Sequence, residues 1–285
     1  MADFDVIIVG SGPAGVSAAL YTARAGLKTL IISAGMGALE KAEKIENFYG
    51  LDHPVSGAEL HAIGEKQAEA LGVRLVREQV VSVEYLGDYS VVTPTSSFTS
   101  KTLILATGTS RRTPNIKGLS EFEGRGVSYC AVCDSFFYRK KAVAVIGEGE
   151  YALKEARELA NVTDNVTVLT NGSEPLVDMS PFTVVKDKIT EICGEENVSS
   201  VAFESGEKID VKGVFIALGV AGSTDIARKI GAIIDNGKIT VDASLSTSVP
   251  GLFAAGDCVG GTLQIYKAVS DGAIAARSAL IFIKK

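Results

Sequence analysis

Two glycine signatures, each set between a short apolar strand and a helix, restrict this chain more than any other feature. The first is Gly10-Ser11-Gly12-Pro13-Ala14-Gly15. Asp5 to Val9 reads as a buried strand before it, and an alanine-rich helix runs from about Val16 to Ala25 after it. Gly26-Leu27-Lys28 then turns the chain into a second strand, Thr29 to Ile32. In such a βαβ unit the first glycine makes the turn, the second lets a pyrophosphate approach the backbone, and the third packs helix on strand. The helix N-terminus faces the phosphates. The acidic residue expected at the end of the second strand is missing, and Ser33 stands there as a weaker partner for an adenosine ribose. The second signature, Gly147-Glu148-Gly149-Glu150-Tyr151-Ala152, follows the strand Lys141 to Ile146 and opens a helix from about Tyr151 to Ala160. Two such units in 285 residues predict an α/β chain of two domains with Val/Ile-rich parallel strands.

Between the signatures a helix is expected over 56–71 and short strands over 73–76, 80–85 and 90–93. A strand over 101–108 ends in the tight turn Ala106-Thr107-Gly108. Late in the chain, Val249 to Asp257 reads as another strand-to-Gly-Asp turn, with a helix from about Leu263. Asp257 can accept hydrogen bonds from sugar hydroxyls or cap that helix.

Tyr129-Cys130-Ala131-Val132-Cys133-Asp134 carries a different chemistry. Thiols two residues apart suit a reversible disulfide, and the adjoining carboxylate suits the proton transfers of exchange. A half zinc site or a structural bridge would give the same spacing. Zinc wants a second pair, and the other cysteines, Cys193 and Cys258, stand alone. Redox use is therefore favoured, and no metal site is expected. Four cysteines are not a secreted disulfide framework, and no run approaches the ~18 apolar residues of a membrane span. The N-terminus lacks a basic leader and runs straight into a strand. A cytoplasmic protein is expected. A net charge of −6 argues against nucleic-acid binding. The two histidines, His53 and His61, are read as neither catalysts nor ligands.

Taken together, Gly10 to Gly15, Ala106 to Gly108, Cys130 to Asp134 and Gly256-Asp257 resemble the low-molecular-weight thioredoxin reductases. Ile45 to Gly50 and Gly124 to Ser128 support the likeness. The resemblance implies two Rossmann-like (three-layer ββα) dinucleotide-binding domains, the second inserted in the first. FAD would lie on residues 1–112 and 213–285. Residues 113–212 would form a shortened redox domain with the Cys-x-x-Cys pair and a degenerate NAD(P)H-binding fold. It further implies FAD contacts from Gly10, Gly12, Pro13, Ala14, Gly15, Ser33, Asn47, Ala106, Thr107, Gly108, Gly256 and Asp257, with Gln264 beside the flavin ring. Cys133 would be the flavin-facing thiol, Cys130 the one that attacks thioredoxin, and Asp134 the general acid–base. A homodimer is implied, and the connections at Thr113-Pro114 and Val211-Lys212-Gly213 would act as hinges.

The chain departs from the family where NADPH should bind. Glu148 and Glu150 stand at the second phosphate turn. Two unit charges ~5 Å apart repel by on the order of 3 kcal/mol at an effective dielectric of ~20. After the strand 165–169 comes Thr170-Asn171-Gly172-Ser173-Glu174-Pro175, with none of the arginines that grip a 2′-phosphate and a shortened stretch before Thr183. Near the flavin, Leu263-Gln264-Ile265 lacks the family's arginine. The likeness extends here to the pyridine-nucleotide-independent branch, the ferredoxin-dependent flavin thioredoxin reductases. Ferredoxins are acidic, and Arg111, Arg112, Lys117, Arg125, Arg139, Lys140 and Lys141 give residues 111–141 a local excess of positive charge. The expected function is electron transfer from ferredoxin through FAD and a Cys130–Cys133 disulfide to thioredoxin. The alternatives are an NADPH-dependent thioredoxin reductase and a flavin dithiol oxidase.

Overall fold

The computed structural model describes residues 2–108, 115–218 and 222–285. The chain divides into two compact units, residues 1–110 with 222–285, and residues 111–221.

The first unit begins with β1 (Phe4–Val9), α1 (Pro13–Arg24) and β2 (Thr29–Ile32). These are followed by α2 (Gly57–Ala70), β3 (Arg74–Val76), β4 (Ser82–Tyr85), β5 (Tyr89–Val92) and β6 (Ser97–Leu105). Ser56 caps α2 by accepting the Glu59 N–H. Strands β3-β2-β1-β6 are parallel neighbours, and the antiparallel pair β5-β4 continues from the first half of β6. Apart from Asp5 and Thr29 near their starts, β1 and β2 are apolar without alternation, as parallel central strands are when both faces are covered.

The second unit follows with β7 (Val127–Ser128), the single turn α3 (Ala131–Asp134), β8 (Val143–Ile146), α4 (Glu150–Ala160), β9 (Val166–Leu169) and β10 (Thr183–Val185). Then come β11 (Ile189–Gly194), β12 (Val198–Phe203), β13 (Lys208–Asp210) and β14 (Gly213–Ile216). Its parallel sheet runs β10-β9-β8-β14-β7, and β11-β12-β13 form an antiparallel ribbon. Ile146, Leu169, Ile192, Val201 and Val214 belong to one core shared by sheet and ribbon.

The chain then completes the first unit with α5 (Ser223–Lys229), the hairpin β15 (Ile234–Asp235) and β16 (Lys238–Ile239), β17 (Leu252–Ala254) and α6 (Ile265–Ile283). β17 joins the parallel sheet beside the second half of β6. Helix α6 is 19 residues long, and no helix among the described residues is long and apolar enough to cross a membrane.

Close backbone contact holds the first unit together. A Cβ on Gly272 of α6 would come within 2.1 Å of the Ala14 carbonyl oxygen in α1, and one on Gly15 within 1.8 Å of the Gly10 oxygen. Ala14, Ala18, Ala275 and Ala279 fill the same core. Ser17 Oγ adds a hydrogen bond across the two helices to the Val269 carbonyl at 2.6 Å.

Three expectations need correction. The boundary at 212/213 falls ahead of a strand, because β14 pairs in parallel with both β8 and β7 and the second unit continues to residue 221. Val211-Lys212-Gly213 is accordingly no hinge: the Lys212 N–H is bonded to the Ala142 carbonyl at 2.7 Å inside that unit. Thr113-Pro114, the other hinge candidate, lies outside the described residues, as do Arg111 and Arg112. Finally, Asp257 sits in the 3₁₀ turn Gly256–Val259, and the N-cap of α6 is Gln264.

Replacing Gly272 with Val forces α6 away from α1. The expected outcome is a loss of about 3 kcal/mol in stability, read from denaturant unfolding.

Candidate active site

The first unit gathers one set of predicted residues at the carboxyl ends of its parallel strands. Gly10 to Gly15 follow β1, Ser33 follows β2, Ala106 to Gly108 follow β6, and Gly256 and Asp257 follow β17. Adjacent strand ends of a parallel sheet form the crevice where nucleotides bind. Gly10 has φ +109, and a Cβ there would meet the Ala106 carbonyl oxygen at 2.4 Å, so β1 and β6 exit the sheet in backbone contact. Gly12 differs, since a Cβ on it would meet nothing within 4 Å. That open side is where a pyrophosphate can reach the main chain. No acidic residue occupies the first turn of α1, and no side chain caps it. These residues fit the FAD that the resemblance implies.

Hydrogen bonds hold the crevice. Thr107 and Ser223 are tied by three contacts, including Ser223 N–H to Thr107 Oγ1 at 2.7 Å. The Asp271 carboxylate accepts the Gly256 N–H at 3.0 Å. Lys267 Nζ is bonded to that carboxylate at 2.7 Å and donates to the Gly256 and Gly260 carbonyls at 3.0 and 2.6 Å. Asn47 is exposed beyond the bridge Ile45–Val55, and Gln264 is exposed at the head of α6.

Neither Lys267 nor Asp271 was read from the sequence as a site residue, although their i,i+4 spacing on a helix was visible. His61 also takes a larger part than the sequence implied. It is buried, its Nε2 lies 2.9 Å from Ser11 Oγ inside the glycine turn, and Ser11 Oγ donates to Ser33 Oγ at 3.0 Å. Glu65 Oε1 is 3.5 Å from the same nitrogen, and Arg77 grips Glu65 with two hydrogen bonds.

In the second unit, Cys130 and Cys133 form a disulfide, with Cα atoms 5.3 Å apart. Cys130 is the N-cap of α3, its Sγ accepting the Cys133 N–H at 3.2 Å. The two sulfurs differ in access, since Cys130 is 1% exposed and Cys133 lies in the exposed class. Asp134 accepts a 2.6 Å hydrogen bond from Ser128 Oγ. The carboxylate of Glu155, on α4 and 1% exposed, accepts the Ala131 N–H at 2.8 Å and so anchors α3 to α4. Glu155 looked from sequence like any acidic residue of an amphipathic helix. Exposed Val132, Phe136 and Phe137 flank the pair.

The second glycine turn repeats the geometry of the first up to a point. A Cβ on Gly147 would meet the Ala217 oxygen at 2.2 Å, the counterpart of the Gly10–Ala106 contact. The difference lies above the turn. After β9 the chain turns back through Asn171 and Gly172, both at positive φ, and the Leu176 N–H donates to the Glu148 carbonyl at 2.7 Å. A Cβ on Gly149 would meet Leu176 Cδ1 at 3.9 Å, where Gly12 meets nothing. Glu150 occupies the first turn of α4. Glu174, the nearest acid after β9, is paired with Lys186. The basic patch also shrinks, because Lys117 is paired with Glu191 at 2.9 Å and Arg139 lies over the Phe136 ring.

A family profile described as pyridine nucleotide-disulphide oxidoreductase matches residues 4–272. A thioredoxin reductase of Aquifex aeolicus is 37% identical, covering 97% of this chain and 91% of the relative. The crystal structure of the atypical thioredoxin reductase TRi from Desulfovibrio vulgaris Hildenborough superposes with a TM-score of 0.93 at 38% identity, covering 98% of both chains. A ferredoxin-flavin thioredoxin reductase from Clostridium acetobutylicum gives 0.73 at 30% identity, covering 99% of this chain and 98% of that one.

Two outcomes test the site. Substituting His61 with Leu leaves Ser11 and Glu65 short of a buried partner. We expect a loss of about 2 kcal/mol in stability and a roughly tenfold weaker flavin affinity, read from fluorescence of the released nucleotide. Burial pushes the Cys258 thiol up to about 11, so it stays protonated and inert at pH 8. Mass spectrometry after iodoacetamide treatment of the native, oxidised protein should find Cys193 alkylated and Cys258 untouched.

Proposed function

We propose that this chain, which belongs to the pyridine nucleotide-disulphide oxidoreductase family and to its thioredoxin reductases, takes its electrons from a reduced ferredoxin and not from NADPH. FAD is the cofactor of this family, and it supplies a store that exchanges one or two electrons. Gly10, Gly12 and Gly15 would hold its pyrophosphate, with Ala106 to Gly108, Gly256 and Asp257 along the same crevice. The Lys267–Asp271 pair fixes the Gly256–Gly260 segment that would border the cofactor.

The reading rests on one contrast. The first glycine turn is open above Gly12 and free of acidic charge, whereas the second has Leu176 bonded across it and Glu150 at the helix start. At the second turn the backbone bond from Leu176 to Glu148 and the carboxylates of Glu148 and Glu150 stand where a dinucleotide's phosphates would come, and like charge repels them. The missing arginines after β9 point the same way. A donor that delivers electrons singly, without a nucleotide site, suits a flavoprotein built like this.

On the output side, the Cys130–Cys133 pair, once reduced to the dithiol, is the group that reacts with the thioredoxin disulfide. Cys130 is buried in the oxidised form, so attack on a protein disulfide requires the segment that covers it to open. Asp134 supplies and removes protons. Exposed Val132, Phe136 and Phe137 give this part of the unit an apolar surface suited to a protein substrate. We assign the protein to the cytoplasm and expect a homodimer, on the family resemblance.

Anaerobic mixing of the oxidised holoenzyme with NADPH, NADH and reduced ferredoxin in parallel tests the donor. Flavin absorbance near 450 nm should bleach rapidly with ferredoxin alone, and prompt bleaching by NADPH would overturn the assignment. Cys130→Ser and Cys133→Ser should each abolish thioredoxin turnover while retaining bound flavin.

A further inference from the structure

We propose that Ser128 is a positioning residue for thiol–disulfide exchange, tying the Asp134 carboxylate to the backbone of Cys130. The inference rests on the reading of Asp134 as the acid–base group. Ser128 ends β7 and is 5% exposed. Its hydroxyl lies among three partners. It accepts the Cys130 N–H at 3.1 Å, donates to Asp134 Oδ2 at 2.6 Å, and has the Cys130 carbonyl as a second acceptor at 3.4 Å. That carbonyl also accepts the Asp134 N–H at 3.2 Å. Serine and aspartate are thereby fixed to the peptide of the cysteine assigned to attack the substrate.

The two acceptors allow one hydroxyl to serve both states of the acid. With Asp134 ionised, the serine proton points at the carboxylate in a charge-assisted bond. With Asp134 protonated, its O–H donates to Ser128 Oγ, and the serine proton swings to the Cys130 carbonyl. A hydroxyl has one proton and two lone pairs, so neither state leaves the serine without a partner. The carboxyl therefore keeps its place as its proton comes and goes, which is what repeated proton transfer requires.

Exchange makes that demand twice in each turnover. The Cys130 thiolate bonds to one sulfur of the thioredoxin disulfide, and the other sulfur leaves and takes the proton of Asp134. The Asp134 carboxylate then accepts the proton of the Cys133 thiol. The Cys133 thiolate attacks Cys130 Sγ and re-forms the disulfide. The second thioredoxin sulfur leaves and is protonated by Asp134, which ends ionised. A cavity of about 710 Å³ lined by Ser128, Asp134, Tyr138, Lys141, Asn197 and Lys212 gives the carboxylate access to water from which to recover its proton.

Thioredoxin reduction by holoenzyme reduced beforehand with dithionite tests the proposal without relying on the physiological donor. Ser128→Ala should lower the single-turnover rate constant by about tenfold with the half-saturating thioredoxin concentration unchanged, and Ser128→Thr should recover most of that loss. In an Asp134→Asn background, Ser128→Ala should add less than about twofold, because the serine acts through the carboxylate. Flavin absorbance and melting temperature establish that each variant is folded. A full rate for Ser128→Ala, or losses that multiply in the double variant, would overturn the role of Ser128 and leave that of Asp134 intact. A full rate for Asp134→Asn would overturn both.

Discussion

Main chain meets main chain at the turns of this protein with no side chain between. Gly10 lies against Ala106, Gly15 against Gly10, Gly272 against Ala14 and Gly147 against Ala217, each so close that a Cβ would sit within 2.4 Å of a carbonyl oxygen. These contacts fix where the strands leave the sheet and where the next helix begins. The nucleotide crevice, the packing of α1 on α6 and the matching turn of the second unit all follow from them. Bulky side chains fill the cores, but glycine at these few points decides which surfaces those cores present.

From one backbone design the two units have diverged in what they leave open. In the first, no acidic residue stands in the first turn of α1, and a network through Ser11, Ser33, His61, Glu65 and Arg77 braces the glycine turn. In the second, Glu150 stands at the helix start and Leu176 is bonded to Glu148, and α4 contributes through Glu155, whose buried carboxylate holds the turn that carries the disulfide. Where α1 begins at the cofactor crevice, α4 also supports the thiol site.

Local patterns explain how much of this was legible in the sequence. The glycine spacings, the apolar strands and the Cys-x-x-Cys-Asp run are local, and they located both βαβ units and the redox pair. Contacts between distant segments were not legible. Gly213 looked like the start of the returning first domain, yet β14 hydrogen-bonds to β8 about seventy residues earlier in sequence. His61, Glu155, Lys267 and Ser128 are ordinary residues of helices or a strand until folding brings Ser11, Ala131, Gly256 and Asp134 beside them. The two glutamates of the second turn could be read as charge, but the chain lying across that turn could not.

That crossing has a consequence for how readily the second glycine turn could be reshaped over evolutionary time or in the laboratory. The bond from Leu176 to Glu148 joins one backbone group to another. Short of a proline at position 176, which would remove the donor, side-chain replacements leave it in place. A charge beside that turn can be exchanged by a point mutation, whereas a bond between two main-chain groups persists through almost any change of side chain, and a different path for the segment after β9 would take an insertion and not a substitution.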